Sequence, residues 1–265
     1  MLITNKFVMI NYPKTGSTFA RKVLMDLHRP SWFRAPLERL GLVKPTLVEH
    51  FMLKYFFTEE ERQSKPDADQ HGCVVQIPEQ HKGKLIMSVM RDPEARIISS
   101  YEFKHWQRFP FPSREAIQEL YPHFPDLSFA EYMNMRMSFA HLAQPPGVNV
   151  DIGPMTTQFI RFFAHDPLTT IRALRDDTDL TRDWDLHFPR IRFLHTENLN
   201  QELHDFLLDM GYDPKRITSV LDRKKENTTP RSRKTYLTPA MRDVLHYQER
   251  FLYQIFPEYV DGHGT

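Results

Sequence analysis

The residues best suited to chemistry are the six of the segment PKTGST, at positions 13–18. This segment combines a lysine and a glycine with three hydroxyl side chains, and it follows the apolar run Phe7–Ile10, which predicts a buried strand. The apolar spacing of residues 17–27 then predicts an amphipathic helix. A helix that begins in such a turn directs unpaired N–H groups and the positive end of its dipole towards an anion. The segment therefore predicts a site for a phosphate or a similar oxyanion.

A second motif, RDPEARIISSY at residues 91–101, follows the apolar run Leu85–Met90, which is typical of an inner parallel strand. Pro93 stands where the first residue of a helix is expected. Ser99 comes eight residues after Arg91, so that its hydroxyl lies two turns into that helix. We expect the Arg91 guanidinium and the Ser99 hydroxyl to converge on a second phosphate.

Together the two motifs resemble those of the sulfotransferases that use 3′-phosphoadenosine 5′-phosphosulfate (PAPS). Those enzymes have a PKxGST or PKxGTT loop and an RDPxxRxxSxY motif, and both occur here in the same order, each after a predicted strand. The resemblance implies that Lys14 contacts the oxygen that leaves the sulfuryl group. It also implies that Arg91 and Ser99 bind the 3′-phosphate of PAPS and of its product 3′-phosphoadenosine 5′-phosphate (PAP). The 5′-phosphate would be bound by the backbone N–H groups of Thr15, Gly16, Ser17 and Thr18. The hydroxyls of Ser17 and Thr18 would add further hydrogen bonds.

The C-terminal half resembles glycan-type and related bacterial sulfotransferases. The segments that carry this resemblance are residues 195–199, 227–233, 236–238 and 256–259. The RKGxxGDW segment that closes the cytosolic hormone and phenol sulfotransferases is absent from the sequence, which argues against a steroid or simple phenol acceptor. In the basic loop 213–235, Asn227 and Arg231 are candidates for further donor contacts. The same loop is equally interpretable as a solvated run of charge.

A hydroxyl acceptor must lose its proton, and a histidine or a carboxylate suits that role near neutral pH. His71 is our candidate for this general base because it precedes the short apolar run 73–77, between the two motifs. Uronyl 2-O-sulfotransferases are similar in having a catalytic histidine in the corresponding segment, here 57 residues after Lys14. Glu49 and His50 are the competing candidates, since other glycan sulfotransferases use a glutamate after the first helix. None of these roles requires a metal, and no metal-ligand cluster stands out in the sequence.

Composition limits the class of protein. The chain has 265 residues, of which 40% are hydrophobic, so it can bury a substantial core. Its 35 Lys and Arg residues nearly balance its 34 Asp and Glu residues, which disfavours a nucleic-acid partner. The single cysteine, Cys73, excludes an intramolecular disulfide and a thiolate zinc site. The apolar runs are short and strand material begins early, so we expect no membrane span or signal peptide and a cytoplasmic protein. With this expectation, the resemblance to bacterial sulfotransferases implies a bacterial protein.

Strands and helices alternate along the chain. Further strands are predicted at 73–77 and 191–195, and further helices at 128–141, 155–164, 167–176, 199–210 and 239–255. This order predicts one α/β domain over residues 1–265, with a central parallel sheet flanked by helices and a P-loop-like phosphosulfate-binding strand–loop–helix. Residues 106–127 predict an irregular, lid-like segment between these elements. Its aromatic side chains Trp106, Phe109 and Phe111 either face the acceptor or cover the sheet edge.

The resemblance leaves the acceptor open among a hydroxyl-bearing saccharide, a glycolipid and a small natural product. Two other functions also remain. The first is a P-loop kinase or nucleotide hydrolase, although the lysine here precedes the only glycine and so departs from the pattern GxxxxGK[ST]. The second is a non-catalytic module that binds a nucleotide.

Overall fold

The computed structural model of the chain describes residues 1–53, 55–59, 62, 67–224 and 236–260. The two candidate donor contacts in the basic loop, Asn227 and Arg231, lie outside the described residues. Within the described ranges, no helix is both long enough and apolar enough to cross a bilayer.

The centre of the fold is a five-stranded sheet with the order β3–β1–β2–β6–β7. The strands are β1 (Leu2–Thr4), β2 (Phe7–Ile10), β3 (Leu47–Glu49), β4 (Met52–Leu53), β5 (Ala68–Asp69), β6 (Leu85–Met90) and β7 (Ile191–His195). Strands β4 and β5 form a separate antiparallel ribbon. Strands β2, β6 and β7 run parallel, with Ile10 opposite Ser88 and Met90 opposite His195. The predicted parallel sheet is therefore confirmed for these strands. Strands β1 and β3 extend it antiparallel, and at three residues each they are too short for a periodicity to reveal.

Helices cover both faces of this sheet. In the described residues they are α1 (Ser17–Leu27), α2 (Arg34–Arg39), α3 (Pro93–Phe103), α4 (His105–Arg108), α5 (Arg114–Leu120), α6 (Phe129–Ser138), α7 (Pro154–Phe163), α8 (Pro167–Ala173), α9 (Trp184–His187), α10 (Leu199–Asp209), α11 (Pro214–Ile217), α12 (Pro239–Gln248) and α13 (Arg250–Ile255). Alternate residues of β2 point to opposite faces. Phe7 and Met9 pack with α1 and α10, whereas Val8 and Ile10 pack in the larger core with α3, α6 and α7. Because both faces are covered, β2 is apolar at every position.

Two predicted elements differ from the structure. Residues 73–77 form a 3₁₀ turn at Val74–Gln76 instead of a strand. Local bonds replace a strand ladder there, since the Cys73 N–H donates to Gln76 Oε1 at 2.9 Å and the Gln76 N–H donates to the Cys73 carbonyl at 3.0 Å. The predicted terminal helix 239–255 is instead two helices, α12 and α13, which meet at Glu249.

The side chain of Glu249 accounts for this break. Its carboxylate is fully buried and accepts hydrogen bonds from the backbone N–H groups of Met155 and Thr156 at 2.9 and 2.6 Å. The Thr156 hydroxyl donates to it as well, at 2.7 Å. These donors begin α7, where N–H groups have no acceptor within the helix. Burial raises the pKa of Glu249. The contact fastens the C-terminal helices to α7, an element that also lines the candidate site.

Candidate functional site

The PKTGST segment forms the loop between β2 and α1. Gly16 is the N-cap of α1 and has a φ of 79°, a conformation that glycine adopts without steric cost. A Cβ atom at Gly16 would lie 3.3 Å from Cγ2 of Thr196, so the loop is also tightly packed at this point. Lys14 has a positive φ of 66°, which costs a non-glycine residue about 1–2 kcal/mol. Backbone strain of this kind concentrates at functional sites.

Two buried hydroxyls hold the loop in shape. Thr15 Oγ1 and Ser17 Oγ donate to the carbonyl of Tyr12, at 2.9 and 2.7 Å. The hydrogens of these two hydroxyls are therefore used within the protein. The backbone N–H groups at the start of α1 have no acceptor within the helix, so an anion placed there would accept hydrogen bonds from them.

Thr196, which follows β7, also fixes this loop, and the sequence patterns did not single it out. Its hydroxyl lies 2.5 Å from the Thr15 carbonyl and 2.8 Å from the Met90 carbonyl, so it can donate to either one. The contact ties the loop of residues 13–18, which we call the anion loop, to the end of β6. Its position could have indicated this role, because residues that directly follow neighbouring parallel strands lie at the same edge of the sheet.

The second motif reaches the same edge. Arg91 directly follows β6, which is the parallel neighbour of β2. It is half-buried, and its charge acts on Lys14. Ser99 is half-buried on α3, two turns after the start of that helix. The structure thus gives both residues the element positions that the sequence predicts, while their contact with a phosphate stays a prediction.

Lys14 lies in a cationic and partly apolar environment. Its Nζ is 3.6 Å from the centroid of the Phe103 ring. Burial, together with the positive charge of Arg91, lowers the pKa of Lys14 to about 8. A phosphate or sulfate beside these two cations would stabilise the charge of both. The loop and its surroundings therefore fit an oxyanion.

Arg96, in the middle of the second motif, is a structural residue. It is buried, its Nε donates to the Pro13 carbonyl at 3.2 Å, and its Nη1 donates to the hydroxyl of Tyr12 at 2.9 Å. Its Nη2 donates to Gln158 Oε1 on α7. These partners are neutral acceptors, through which Arg96 joins the anion loop, α3 and α7.

His71 lies above the anion loop, at the end of the β4–β5 ribbon. Its backbone N–H donates to Asp69 Oδ1 at 2.8 Å, and its ring Nδ1 lies 2.7 Å from the carbonyl of Asn11. Because a carbonyl only accepts, Nδ1 must carry the hydrogen. In the neutral ring, Nε2 is then the basic nitrogen, which is the tautomer that a general base needs.

The competing candidates for the general base have other surroundings. Glu49 lies on β3, where its Oε1 accepts from Arg21 Nε at 2.8 Å and Arg21 Nη2 at 2.5 Å. The backbone of His50 continues the pairing of β3 beside β1, through a hydrogen bond to the Met1 carbonyl at 3.0 Å. Neither residue lines the cavity that contains His71.

Lys14 and His71 line one cavity of about 380 Å³. We call it the central cavity, and it is bounded by Lys14, His71, Arg96, Arg136, Arg161 and Phe162. The size falls at the lower end of the range of small-molecule sites in proteins. The central cavity therefore brings together a residue of the strand–helix loop and a histidine whose Nε2 is the basic nitrogen.

The aromatic residues of the predicted lid do not line the central cavity. Trp106 is buried on α4 and packs against Tyr101 and Tyr132, with ring centroids 6.2 and 5.2 Å apart. Phe109 is exposed, and Phe111 lines a smaller neighbouring cavity. The region contains the short helices α4 and α5, so a covering role describes Trp106 better than an acceptor-facing one.

The geometry agrees with a comparison of the sequence with known families. The profile of the sulfotransferase family matches residues 3–256. The chain belongs to the sulfotransferase family. Among solved structures, the sulfotransferase resembles the crystal structure of mouse sulfotransferase SULT7A1 complexed with PAP, at 11% identity and a TM-score of 0.46, over 97% of this chain and 88% of that chain. No curated protein matches this sulfotransferase in sequence.

The one cysteine of this sulfotransferase has the properties of a core residue. Cys73 is buried, and burial raises the pKa of its thiol to about 12. A thiol with that pKa is almost entirely protonated at neutral pH, whereas a nucleophile must be a thiolate. Burial therefore argues against Cys73 as a nucleophile.

Proposed function

We propose that this sulfotransferase transfers the sulfuryl group of PAPS to a hydroxyl of a saccharide, a glycolipid or a small natural product. The observation that carries the proposal is that Lys14, from the anion loop, and His71 line the same cavity. A P-loop kinase would also use the strand–loop–helix, but that hypothesis gives no role to a histidine base in the position of His71. A non-catalytic binding module gives no role to the Nδ1–H tautomer of His71, which leaves Nε2 basic.

In this proposal the donor is bound at the sheet edge where β2 and β6 end. The N–H groups of residues 15–18 bind the 5′-phosphate at the start of α1. Arg91 and Ser99 bind the 3′-phosphate, and outside the described residues Asn227 and Arg231 add donor contacts. PAPS supplies an activated sulfuryl group when bound. The side chains hold and orient it by charge and hydrogen bonds alone.

At sulfur, the transfer forms one bond and breaks one. The acceptor oxygen forms the new bond to sulfur as the bond from sulfur to the bridging phosphate oxygen breaks. His71 Nε2 takes the proton of the acceptor hydroxyl, and the Asn11 carbonyl, which accepts from Nδ1, stabilises the imidazolium that results. Lys14 stabilises the negative charge that the bridging oxygen keeps as PAP leaves.

Substitution of His71 tests this assignment. The conversion of PAPS to PAP is measured with pooled saccharide, lipid and natural-product acceptors. In His71→Ala we expect turnover to fall by about 10²–10⁴-fold, because proton transfer contributes that much. PAP affinity should stay within about twofold of the wild-type value, a change of less than 0.5 kcal/mol. The matched control is His141→Ala, since His141 is exposed and its ring Nδ1 lies 2.9 Å from the carbonyl of Ser138 at the end of α6. Turnover close to wild type in His71→Ala would instead promote Glu49 or His50.

A further inference from the structure

Helix α2 and its flanking residues carry apolar side chains that the protein leaves in solvent. No residue of α2 is buried. Five large apolar side chains are exposed within 11 consecutive residues, with exposed fractions between 38% and 87%. They are Trp32, Phe33, Leu37, Leu40 and Leu42, which we call the apolar stripe. Single exposed apolar residues are ordinary on a protein surface, whereas a group of this size indicates a surface that binds something.

The local backbone brings these side chains together. Phe33, Leu37 and Leu40 are spaced at i, i+4 and i+7, which places them on the same face of the helix. After the helix, the N–H of Leu42 donates to the Leu37 carbonyl at 2.9 Å, so that Leu42 returns to the end of α2. Before the helix, Trp32 packs edge-on against Phe33, with ring centroids 5.9 Å apart. The five residues therefore form one surface and not five isolated contacts with solvent.

Positive charge flanks the apolar stripe. Arg29, Arg39 and Lys44 are exposed, and none of them forms an ion pair within the part of the chain that the structure describes. Arg34 is paired with Glu38, with Nε and Oε1 2.6 Å apart. The segment from Arg29 to Lys44 therefore carries a net charge of +3, whereas the whole chain carries +1. Because a turn of helix contains about 3.6 residues, Arg34 and Arg39 lie on opposite sides of the stripe.

We propose that the apolar stripe is a docking surface for an anionic lipid bilayer. Tryptophan, phenylalanine and leucine side chains enter the boundary between headgroups and acyl chains, while flanking lysine and arginine side chains reach anionic headgroups. A bilayer presents negative charge all around the stripe, which matches cations on both of its sides.

This surface is separate from the proposed reaction. The apolar stripe and its flanking cations share no residue with the central cavity. The proposal is therefore independent of the proposed function. It adds that the sulfotransferase works at a lipid surface, where a lipid-linked acceptor would be within its reach.

Sedimentation with lipid vesicles tests the proposal. The full chain is mixed with vesicles of phosphatidylcholine alone or of an equimolar mixture of phosphatidylcholine and phosphatidylglycerol, and the bound fraction is measured over a range of lipid concentrations. The wild type should partition onto the anionic vesicles about tenfold or more strongly than onto the neutral ones. The difference should shrink at about 1 M salt, where the Debye length falls to about 3 Å.

Variants locate the contact on the protein. Trp32→Ala should weaken partitioning onto the anionic vesicles by about tenfold and Leu40→Ala by about threefold, because apolar contact is lost. The control Leu186→Ala should have no effect, since Leu186 is 78% exposed but lies on α9. Arg39→Gln should weaken partitioning by about fivefold, through the loss of one cation. Its matched control is Arg108→Gln, since Arg108 is exposed on α4.

Three results would overturn the proposal. The wild type stays in the supernatant with both kinds of vesicle, it binds neutral and anionic vesicles alike, or the variants of the stripe bind as tightly as the wild type. If the unbound wild type is a dimer by gel filtration and Trp32→Ala is a monomer, a second copy of the chain covers the stripe instead of a bilayer. The substituted side chains are exposed, so the variants lose little packing, and circular dichroism checks that they fold.

Discussion

At the scale of single residues, the surroundings of Lys14 favour an anion beside its ammonium group. Its backbone is held at a positive φ, its side chain lies over Phe103, and the nearby Arg91 opposes its charge. Burial and the charge of Arg91 lower the pKa of Lys14 to about 8. A bound phosphosulfate would raise that pKa again, because an adjacent anion favours the ammonium form. Affinity for the donor must therefore depend on pH.

The sign follows from the direction of the shift. Below pH 8 Lys14 is mostly protonated, so we expect PAP to bind with its full affinity. Above pH 8 we expect binding to require the uptake of a proton by Lys14. We expect the Kd of PAP to rise by up to about tenfold per pH unit between about pH 8 and pH 9.5, measured by calorimetry. In Lys14→Arg the guanidinium stays charged, so this dependence should disappear. A wild-type Kd that is flat over the same range would contradict the account of Lys14.

The sequence is enough to propose Lys14 and His71 as site residues, but it reveals their environment only in part. Motif order indicated the lysine, and position between the motifs indicated the histidine. The tautomer of His71 depends on a hydrogen bond to the Asn11 carbonyl, 60 residues away in the chain. No local pattern encodes that contact, because it arises when the β4–β5 ribbon folds over the end of β2.

At the scale of elements, α7 is the helix that connects the site to the rest of the fold. Its first N–H groups donate to the buried carboxylate of Glu249, and its Gln158 accepts from Arg96. Gly153, the N-cap of α7, makes this approach possible. A Cβ atom there would lie 2.2 Å from Glu249 Oε1. The φ of Gly153 is −75°, so space and not backbone conformation requires the glycine.

Gly153→Ala should therefore destabilise the protein by displacing Glu249 from the start of α7. Overpacking costs about 1–3 kcal/mol, and each buried donor left without an acceptor adds about 1–3 kcal/mol. We expect a loss of about 2–4 kcal/mol in the free energy of unfolding, measured by urea denaturation. Gly83→Ala is the matched control, because a Cβ atom at Gly83 meets nothing within 4 Å. Equal stability of the two variants would show that Glu249 is not held as described.

The continuous terminal helix predicted for 239–255 was wrong for a related reason. Glutamate has a high helix propensity, and nothing local marks Glu249 as a buried residue. Its partners, Met155 and Thr156, are more than 90 residues away. The break between α12 and α13 is therefore a tertiary effect.

At the scale of the whole molecule, the inner parallel strands were predictable because burial on both faces makes them continuous apolar runs. The antiparallel strands β1 and β3 were not, since three residues show no period. Two arginines of the central cavity were also missed. Arg136 and Arg161 come from different helices, α6 and α7, and only packing brings them to one wall.

The proposed donor PAPS is tested most directly by comparing PAP with AMP, which differs from PAP only in lacking the 3′-phosphate. By calorimetry, wild-type protein should bind PAP about tenfold or more tightly than AMP, and Arg91→Gln should remove most of that difference, because Arg91 is assigned to the 3′-phosphate. ATP with magnesium should bind more weakly than PAP. Binding of AMP, or of ATP with magnesium, as tight as that of PAP would contradict the account.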